Sequence, residues 1–200
     1  KINAALDLGG VPLEVRTIEN MLDTRIDNVA GINFEGFRDL TNALGGVTVD
    51  VPVGFTNGDG ETFEQGPQKM DGDRALTFVR ERYSFTDGDY QRVRDQRAYM
   101  RGVLKEIGSP QTLANPAKVN DLVKKFSPFM QVDDSLNATR AAKIAMKMGP
   151  DGLRNMKMMT LPNSGTGWSP DGQSIVNLDQ DSVDKLSLIH ISEPTRQAEI

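Results

Sequence analysis

The chain has 200 residues, of which 38% are hydrophobic, and a formal net charge of −5. These values are typical of one globular domain with a real core, and the negative charge disfavours a general nucleic-acid binder. The absence of cysteine excludes disulfides, thiolate metal sites and cysteine nucleophiles, and no apolar run is long enough to cross a membrane.

The C-terminal stretch 186–200 is interpreted separately. It contains LSLIHISEPTR, which resembles the in-frame translation of a sequencing-library adapter, and the alternative is a short amphipathic tail. We therefore expect 1–185 to be the domain and 186–200 to be a non-native tail. Because the only histidine is His190, we expect no histidine base, Ser-His-Asp triad or histidine metal site.

The first predicted elements are a helix and a strand. Apolar residues at helical spacing predict a helix over Val11–Leu22, with Pro12 suited to its first turn and Gly9-Gly10 as a preceding loop. A short strand is predicted at Asn28–Phe34.

A second helix and strand follow. Phe34–Leu44 has a helical apolar stripe that is closed by two glycines, and the alternating VTVDVPV predicts a strand that starts at Val47 and ends against Pro52. Helices that alternate with strands indicate an α/β layered fold.

The middle of the chain is predicted to contain a long polar loop, Gly54–Gly72, that could form a flap. Asp71 is expected to cap a short helical segment that ends near Leu76, and TFVRERY, residues 77–83, to be extended. The helix over Gly88–Ile107 is the clearest prediction in the chain. Further helices are predicted at Pro116–Phe126 and Asn137–Met148, and short strands near Met156–Leu161 and Ser174–Leu178.

Arginines are concentrated in one segment. Seven of the twelve arginines before the tail lie between Arg74 and Arg101, where no lysine occurs. A solvated basic face would mix the two residue types, whereas a site that binds oxyanions favours the guanidinium fork. The alternative is an ion-pair network with the interleaved acids, which are Glu81, Asp87, Asp89 and Asp95. Spacing alone does not distinguish phosphate, carboxylate or nucleic acid as the ligand.

Geometry selects candidates within this segment. In an extended segment, Arg80 and Arg82 would project from the same side. On the following helix, Val93, Met100, Leu104 and Ile107 are predicted to form the buried stripe, and Arg92 and Gln96 lie along its flank. Arg94 and Arg101 point elsewhere and are expected to be solvated and paired with nearby acids.

Three ordered motifs resemble the LytR-CpsA-Psr family of bacterial cell-envelope phosphotransferases. They are INFEGFRDLTNALGGVTVDVP, GPQKMDGDRALTFVRERY and GDYQRVRDQR, and the resemblance runs from Lys1 to about Lys185. It implies a layered α-β-α sandwich with a central mixed sheet.

The resemblance also implies an activity and a site. A glycopolymer, such as a teichoic acid or arabinogalactan, would be moved from a polyprenyl-pyrophosphate carrier to a peptidoglycan hydroxyl on the extracytoplasmic face of the membrane. The family's pyrophosphate-binding motifs fall on Arg80, Arg82, Arg92 and Gln96, and Arg82, Arg92 and Asp89 are the catalytic candidates. Asp89 would orient an arginine or take a proton, and an ordinary helix N-terminal acid is an equal alternative.

The resemblance further implies a segment before Lys1 that carries a membrane helix and the aspartates that position Mg²⁺. We expect no metal ligand in this chain, and we expect the fragment itself to be inactive or nearly so. Two other functions stay open: a noncatalytic module that binds a polyprenyl phosphate or glycan, and a nucleic-acid-binding transcriptional regulator.

Overall fold

The computed structural model describes residues 2–109, 130–132, 158–170 and 172–186, with the single positions 112, 117 and 152. In chain order the elements are α1 (Ile2–Leu22), β1 (Ala30–Ile32), α2 (Phe34–Ala43), β2 (Val47–Val51), β3 (Phe55–Thr56), β4 (Thr62–Phe63), β5 (Gly66–Met70), α3 (Gly72–Arg80), α4 (Gly88–Ile107), β6 (Met130–Val132), β7 (Asn163–Trp168) and β8 (Ser174–Leu178). Residues 180–186 are also helical.

The chain divides into two compact units, Asn28–Met158 and Lys1–Asp27 with Met159–Ile200. The single domain over 1–185 stays a prediction. The helices expected at 116–126 and 137–148 lie outside the described residues except for position 117, as does the tail from 187 onward.

The α/β class is confirmed, because helices and strands alternate through much of the described chain. The described strands pair two by two and antiparallel, as β1 with β6, β2 with β5, β3 with β4 and β7 with β8. A central mixed sheet is not seen among these strands, since each of them has one partner only.

The strand predicted from Val47 is confirmed as β2 and supplies part of the core of the larger unit. Its three valines are buried, whereas Thr48 and Asp50 between them are exposed, as expected when alternate side chains point to opposite faces. In the antiparallel register Val47 lies opposite Met70, which is also fully buried. The helix predicted at Phe34–Leu44 is confirmed as α2, and its Asn33 cap accepts from the amide of Gly36 at 2.8 Å.

The prediction of a loop over Gly54–Gly72 is wrong, because β3, β4 and β5 lie within it. The turn between β3 and β4 is closed by Asn57, whose side chain accepts from the amides of Asp59 and Glu61 at 3.0 and 2.9 Å. Phe55 and Phe63 stack across the two strands with ring centroids 4.7 Å apart. The polar composition of this segment led to the prediction of a loop, because strands with only one buried face can contain many polar residues.

The extended segment predicted over residues 77–83 is wrong up to Arg80, because α3 continues to that residue. The predicted cap is confirmed: Asp71 accepts from the amide of Arg74 at 2.9 Å. Phe78 and Val79 are buried on the same helix face as Ala75. Burial of that face outweighs the strand propensity of the β-branched and aromatic residues.

The helix predicted over Gly88–Ile107 is confirmed as α4, but the predicted buried stripe is wrong. Val93 and Met100 are exposed, and the buried residues are Gln91, Asp95, Ala98, Tyr99, Gly102 and Val103. A side chain at Gly102 would collide with the carbonyl oxygen of Thr48, so this small residue lets α4 approach β2. The polar members of the face have partners, as with Tyr99, whose hydroxyl is 2.7 Å from that of Thr41.

Asp95 is a fully buried carboxyl group on α4. One oxygen accepts from Gln91 at 2.8 Å, and the other has no hydrogen-bond partner among the described residues. Burial raises its pKa to about 6, although the hydrogen bond from Gln91 and the charge of Arg94 act in the opposite direction. The folded protein therefore binds a proton at a pH where the unfolded chain does not.

We expect Asp95→Asn to remove this proton linkage. The folded pKa is raised, so the free energy of unfolding of the wild type should fall as pH rises from about 4 to about 6. The variant should lack that contribution and be more stable at pH 7.5 by about 1–2 kcal/mol. Urea unfolding at pH 4 and 7.5 measures the difference, and equal pH dependence in both proteins would contradict it.

The smaller unit contains α1, β7, β8 and the helical residues 180–186. The helix predicted at Val11–Leu22 is present, and a further helical stretch precedes it, with a kink at Gly10 (φ 64°) where the loop was expected. The strand predicted at Ser174–Leu178 is confirmed as β8. Its partner is β7. The strand predicted near Met156–Leu161 is not formed in its described residues, 158–161.

Candidate active site

The predicted site residues lie where α3 ends and α4 begins. Arg80 is the last residue of α3, and its guanidinium carbon lies 4.6 Å from the ring centroid of Phe34. Phe34 is the first residue of α2 and is 58% exposed. This cation–π contact holds the end of α3 beside the start of α2.

Glu81 organises the turn that follows α3. One carboxylate oxygen accepts from the backbone amides of Arg82, Tyr83 and Ser84 at 2.8, 2.6 and 3.1 Å. Burial acts to raise the pKa of Glu81, but the hydrogen bonds from these residues outweigh it and lower the pKa. The ionised carboxylate therefore fixes the backbone that carries Arg82.

We expect Glu81→Ala to loosen this turn without unfolding the protein. Losing three charge-assisted hydrogen bonds should speed amide hydrogen exchange at residues 82–84 by at least about tenfold, since each is typically worth more than 1 kcal/mol. The exposed Glu64→Ala is the matched control and should leave those amides unchanged. Equal exchange in both variants would show that Glu81 does not hold the turn.

Arg82 lies in this turn, between α3 and α4. It donates from Nη2 to the Tyr83 hydroxyl at 2.5 Å, and its guanidinium carbon lies 4.6 Å from the centre of that ring. The hydrogen bond to Tyr83 is the larger cause of the raised pKa of Arg82, and the nearby charge of Asp89 adds to it. The carbonyl of Arg82 also lies so close to Gly88 that a side chain there would collide with it.

Arg92 and Gln96 complete the group from α4. Arg92 pairs with Asp89 one turn earlier at 3.0 Å, and its side chain is 32% exposed. Gln96 donates from Nε2 to the carbonyl of Val79, in the last turn of α3, at 3.2 Å. Arg92 is therefore paired at the start of α4, and Gln96 connects α4 to the last turn of α3, which ends at Arg80. The charge of Asp89 also acts on Arg82.

The reason given from sequence for pairing Arg80 with Arg82 is wrong, because Arg80 belongs to a helix and Arg82 to the turn after it. The reason for selecting Arg92 and Gln96 is wrong as well, because the flank was defined against a stripe that includes Val93 and Met100, which are exposed. The roles of Asp89, Arg80, Arg82, Arg92 and Gln96 stay predictions. The sequence analysis did not assign Glu81 and Tyr83 to the site. The signal that could have identified them is an acid between two arginines, followed by an aromatic residue.

The alternative of an ion-pair network accounts for only part of the arginine cluster. Arg74 pairs with Glu61, Arg92 with Asp89 and Arg94 with Asp87. Arg80, Arg82, Arg97 and Arg101 make no ion pair with another described residue. Arg82, which has no carboxylate partner among the described residues and lies in the turn before the N-terminus of α4, is suited to bind an oxyanion together with Arg92.

Among the described residues, no group of three or more acidic or histidine side chains is arranged to hold a metal ion. Asp89 is paired with Arg92. No helix in the described part of the chain is both long and apolar enough to span a membrane.

Known proteins are similar to this chain in sequence and fold. Biofilm regulatory protein A of Streptococcus mutans is 33% identical over 174 residues, which are 83% of this chain and 41% of that protein. A Bacillus anthracis protein named polyisoprenyl-teichoic acid–peptidoglycan teichoic acid transferase TagU is 34% identical over 166 residues, or 82% of this chain and 52% of that protein. The chain thus spans about half the length of these curated relatives.

A solved structure and a family model also match this chain. The crystal structure of B. subtilis TagV matches with a TM-score of 0.75 and 26% identity, covering 94% of this chain and 72% of that one. The model of the LytR_cpsA_psr family matches residues 1–190, the region in which the ordered arginine motifs occur. By sequence, motif order and fold, the chain belongs to the LytR_cpsA_psr family.

Proposed function

We propose that this chain is part of the catalytic domain of an enzyme that transfers a glycopolymer from a polyprenyl-pyrophosphate carrier to peptidoglycan. The observation that carries the proposal is the ion pair of Arg92 with Asp89 at the start of α4, whose charge also acts on Arg82 in the preceding turn. The name of the B. anthracis relative, a polyisoprenyl-teichoic acid–peptidoglycan teichoic acid transferase, supports the same substrate classes.

In the proposed reaction, an acceptor hydroxyl oxygen attacks the phosphorus that carries the glycopolymer. A new phosphodiester bond forms, the bond between that phosphorus and the bridging oxygen breaks, and the polyprenyl monophosphate leaves with the bonding electron pair. The hydroxyl proton passes to a base or to solvent. Negative charge grows on the bridging oxygen as this bond breaks, so prepositioned guanidinium groups stabilise the transition state more than the ground state.

The residues have distinct proposed roles. Arg82 and Arg92 would bind the diphosphate oxygens and stabilise the developing charge, and Arg80 and Gln96 would help to position the diphosphate. Asp89 would orient Arg92, with which it is paired at 3.0 Å. Glu81 would act as a positioning residue, because it holds the turn that carries Arg82.

The proposal extends to the setting of the whole protein. It would act at the extracytoplasmic face of the bacterial membrane, with the lipid-linked glycan as donor and a muramic-acid hydroxyl as acceptor. Mg²⁺ would be its cofactor, held by carboxylates outside the described residues.

Ligand specificity tests the binding part of the proposal. The chain should bind farnesyl pyrophosphate at least about tenfold more tightly than farnesyl monophosphate, because a second charged phosphate adds charge-assisted hydrogen bonds. Farnesol measures the contribution of the prenyl tail alone, and calorimetry gives all three affinities. Equal affinity for the three ligands would overturn the assignment of the arginines to a diphosphate.

Turnover separates the enzyme from its two alternatives. The whole protein, incubated with Mg²⁺, a lipid-linked oligosaccharide and peptidoglycan, should form a phosphodiester-linked product. Diphosphate binding without product would instead indicate a noncatalytic carrier-binding module. Affinity for DNA that falls steeply with salt, together with weak diphosphate binding, would favour the transcriptional regulator.

A further inference from the structure

A second basic surface lies away from the candidate active site, between α4 and the hairpin of β2 and β5. It is a groove with a volume of about 560 Å³. Its cations are Arg94, Arg97, Arg101 and Lys105, and we call it the α4–β2 groove. At about 3.6 residues per turn these four positions share one face of α4, whereas Arg92 and Gln96 lie on another face of the same helix.

The charges of the groove are poorly compensated within the described structure. Arg94 pairs with Asp87, but Arg97, Arg101 and Lys105 make no ion pair with a described residue. Asp50 on β2 is the one acid among the described lining residues. A groove with excess positive charge in a chain whose net charge is −5 attracts an anionic partner locally.

The spacing of the cations fits a chain of anions rather than a single one. Successive basic residues are three or four positions apart, so they lie about 4.5–6 Å apart along the helix axis at about 1.5 Å per residue. The row from Arg94 to Lys105 is therefore roughly 16 Å long. One small anion would engage only part of this row, whereas an extended polymer with regularly spaced phosphates could contact all of it.

The uncharged residues that line the groove indicate what lies between those anions. They include Ala98 and Gly102 of α4 with Pro52 and Pro67 beside them. Such a surface can contact the carbon skeleton of a sugar or polyol while the cations bind its phosphates. None of the described lining residues is aromatic, so the groove lacks the stacking platforms typical of single-stranded nucleic-acid sites.

We propose that the α4–β2 groove binds the anionic chain of a phosphodiester-linked sugar or polyol polymer, at a subsite separate from the one that holds the diphosphate. This inference rests on the proposed function, because such a polymer would be the transferred group. The groove would hold the polymer portion while Arg82 and Arg92 engage its lipid-linked end. The concave shape favours a polymer chain over a flat membrane surface.

The experiment uses the full chain and poly(glycerol phosphate) as the probe. The double variant Arg97→Gln/Arg101→Gln should bind the probe at least about tenfold more weakly, and the slope of log affinity against log salt should shrink, because each phosphate contact contributes about −0.7 to that slope for a flexible strand. The matched control, Arg16→Gln/Arg25→Gln, removes the same charge elsewhere and should bind the probe like the wild type.

Two further measurements make the result decisive. Equal loss of polymer affinity in both double variants, or no loss in the groove variant, would overturn the proposal. The proposal would also fail if the groove variant bound phosphatidylglycerol vesicles more weakly while its affinity for the polymer was unchanged. Farnesyl pyrophosphate affinity, measured on the same proteins, should be unchanged in the groove variant. If the wild type binds the polymer through the groove but ignores farnesyl pyrophosphate, the proposed function fails while the groove assignment stands.

Discussion

Arg92→Ala is expected to weaken binding of farnesyl pyrophosphate by about 10- to 100-fold, because one charge-assisted hydrogen bond of about 1.5–3 kcal/mol would be lost. Arg82→Ala should have an effect of similar size. Both side chains lie at the surface, where Arg92 has Asp89 as its ion-pair partner and Arg82 contacts Tyr83. Their removal should therefore leave the core intact, and calorimetry with thermal unfolding of each variant checks both statements.

Two controls sharpen this prediction. Arg92→Lys keeps the charge but loses the planar fork, so it should recover only part of the affinity. Arg25→Ala removes an exposed arginine that pairs with Asp27 in the other compact unit, and it should bind like the wild type. Unchanged affinity in both Arg82→Ala and Arg92→Ala would remove the main support for the diphosphate site.

Arg74→Ala is expected to lower the free energy of unfolding by about 2–3 kcal/mol, although Arg74 belongs to the same arginine-rich segment. Its guanidinium donates to a carboxylate oxygen of Glu61 at 2.6 Å, to the carbonyl of Thr62 at 2.8 Å and to the side chain of Gln68 at 3.0 Å. The same group lies 4.4 Å from the ring centroid of Phe63. The Arg74 side chain is 29% exposed, so the expected loss is smaller than for a fully buried pair.

Chemical denaturation compares Arg74→Ala with Arg38→Ala. Arg38 has a longer pair of 3.4 Å with the exposed Asp73, so its removal should cost less than about 0.5 kcal/mol. Farnesyl pyrophosphate binding by the folded Arg74→Ala protein should stay close to the wild-type value. A small stability change with a large loss of affinity would place Arg74 in the binding site instead.

Arg74 and Arg92 lie in different surroundings, which shows why the density of arginines in the sequence identified a region but not the role of each arginine. Both side chains have an acidic partner, yet Arg74 connects α3 to β4, to β5 and to the turn before β4, whereas Arg92 is paired within α4. The sequence places Glu61 thirteen residues from Arg74, too far to be recognised as a partner by helical or strand spacing. Contacts of that separation arise only when the hairpin folds back on the helix.

The sequence by itself determined the elements whose signals are local. Alternation defined β2, Asp71 defined the start of α3, and the predicted bounds of α4 match the observed ones. The order of the motifs was sufficient to identify the family, whose model matches residues 1–190.

Tertiary structure alone decided which side of each element is buried and how far α3 extends. Gly102 allows α4 to approach β2, which buries Ala98 and Val103 and leaves Met100 exposed. The buried hydroxyl of Tyr99 lies 2.7 Å from that of Thr41, which is 58 residues away in the sequence. Hydrophobicity along the chain does not indicate such a partner, because only packing brings the two groups into reach.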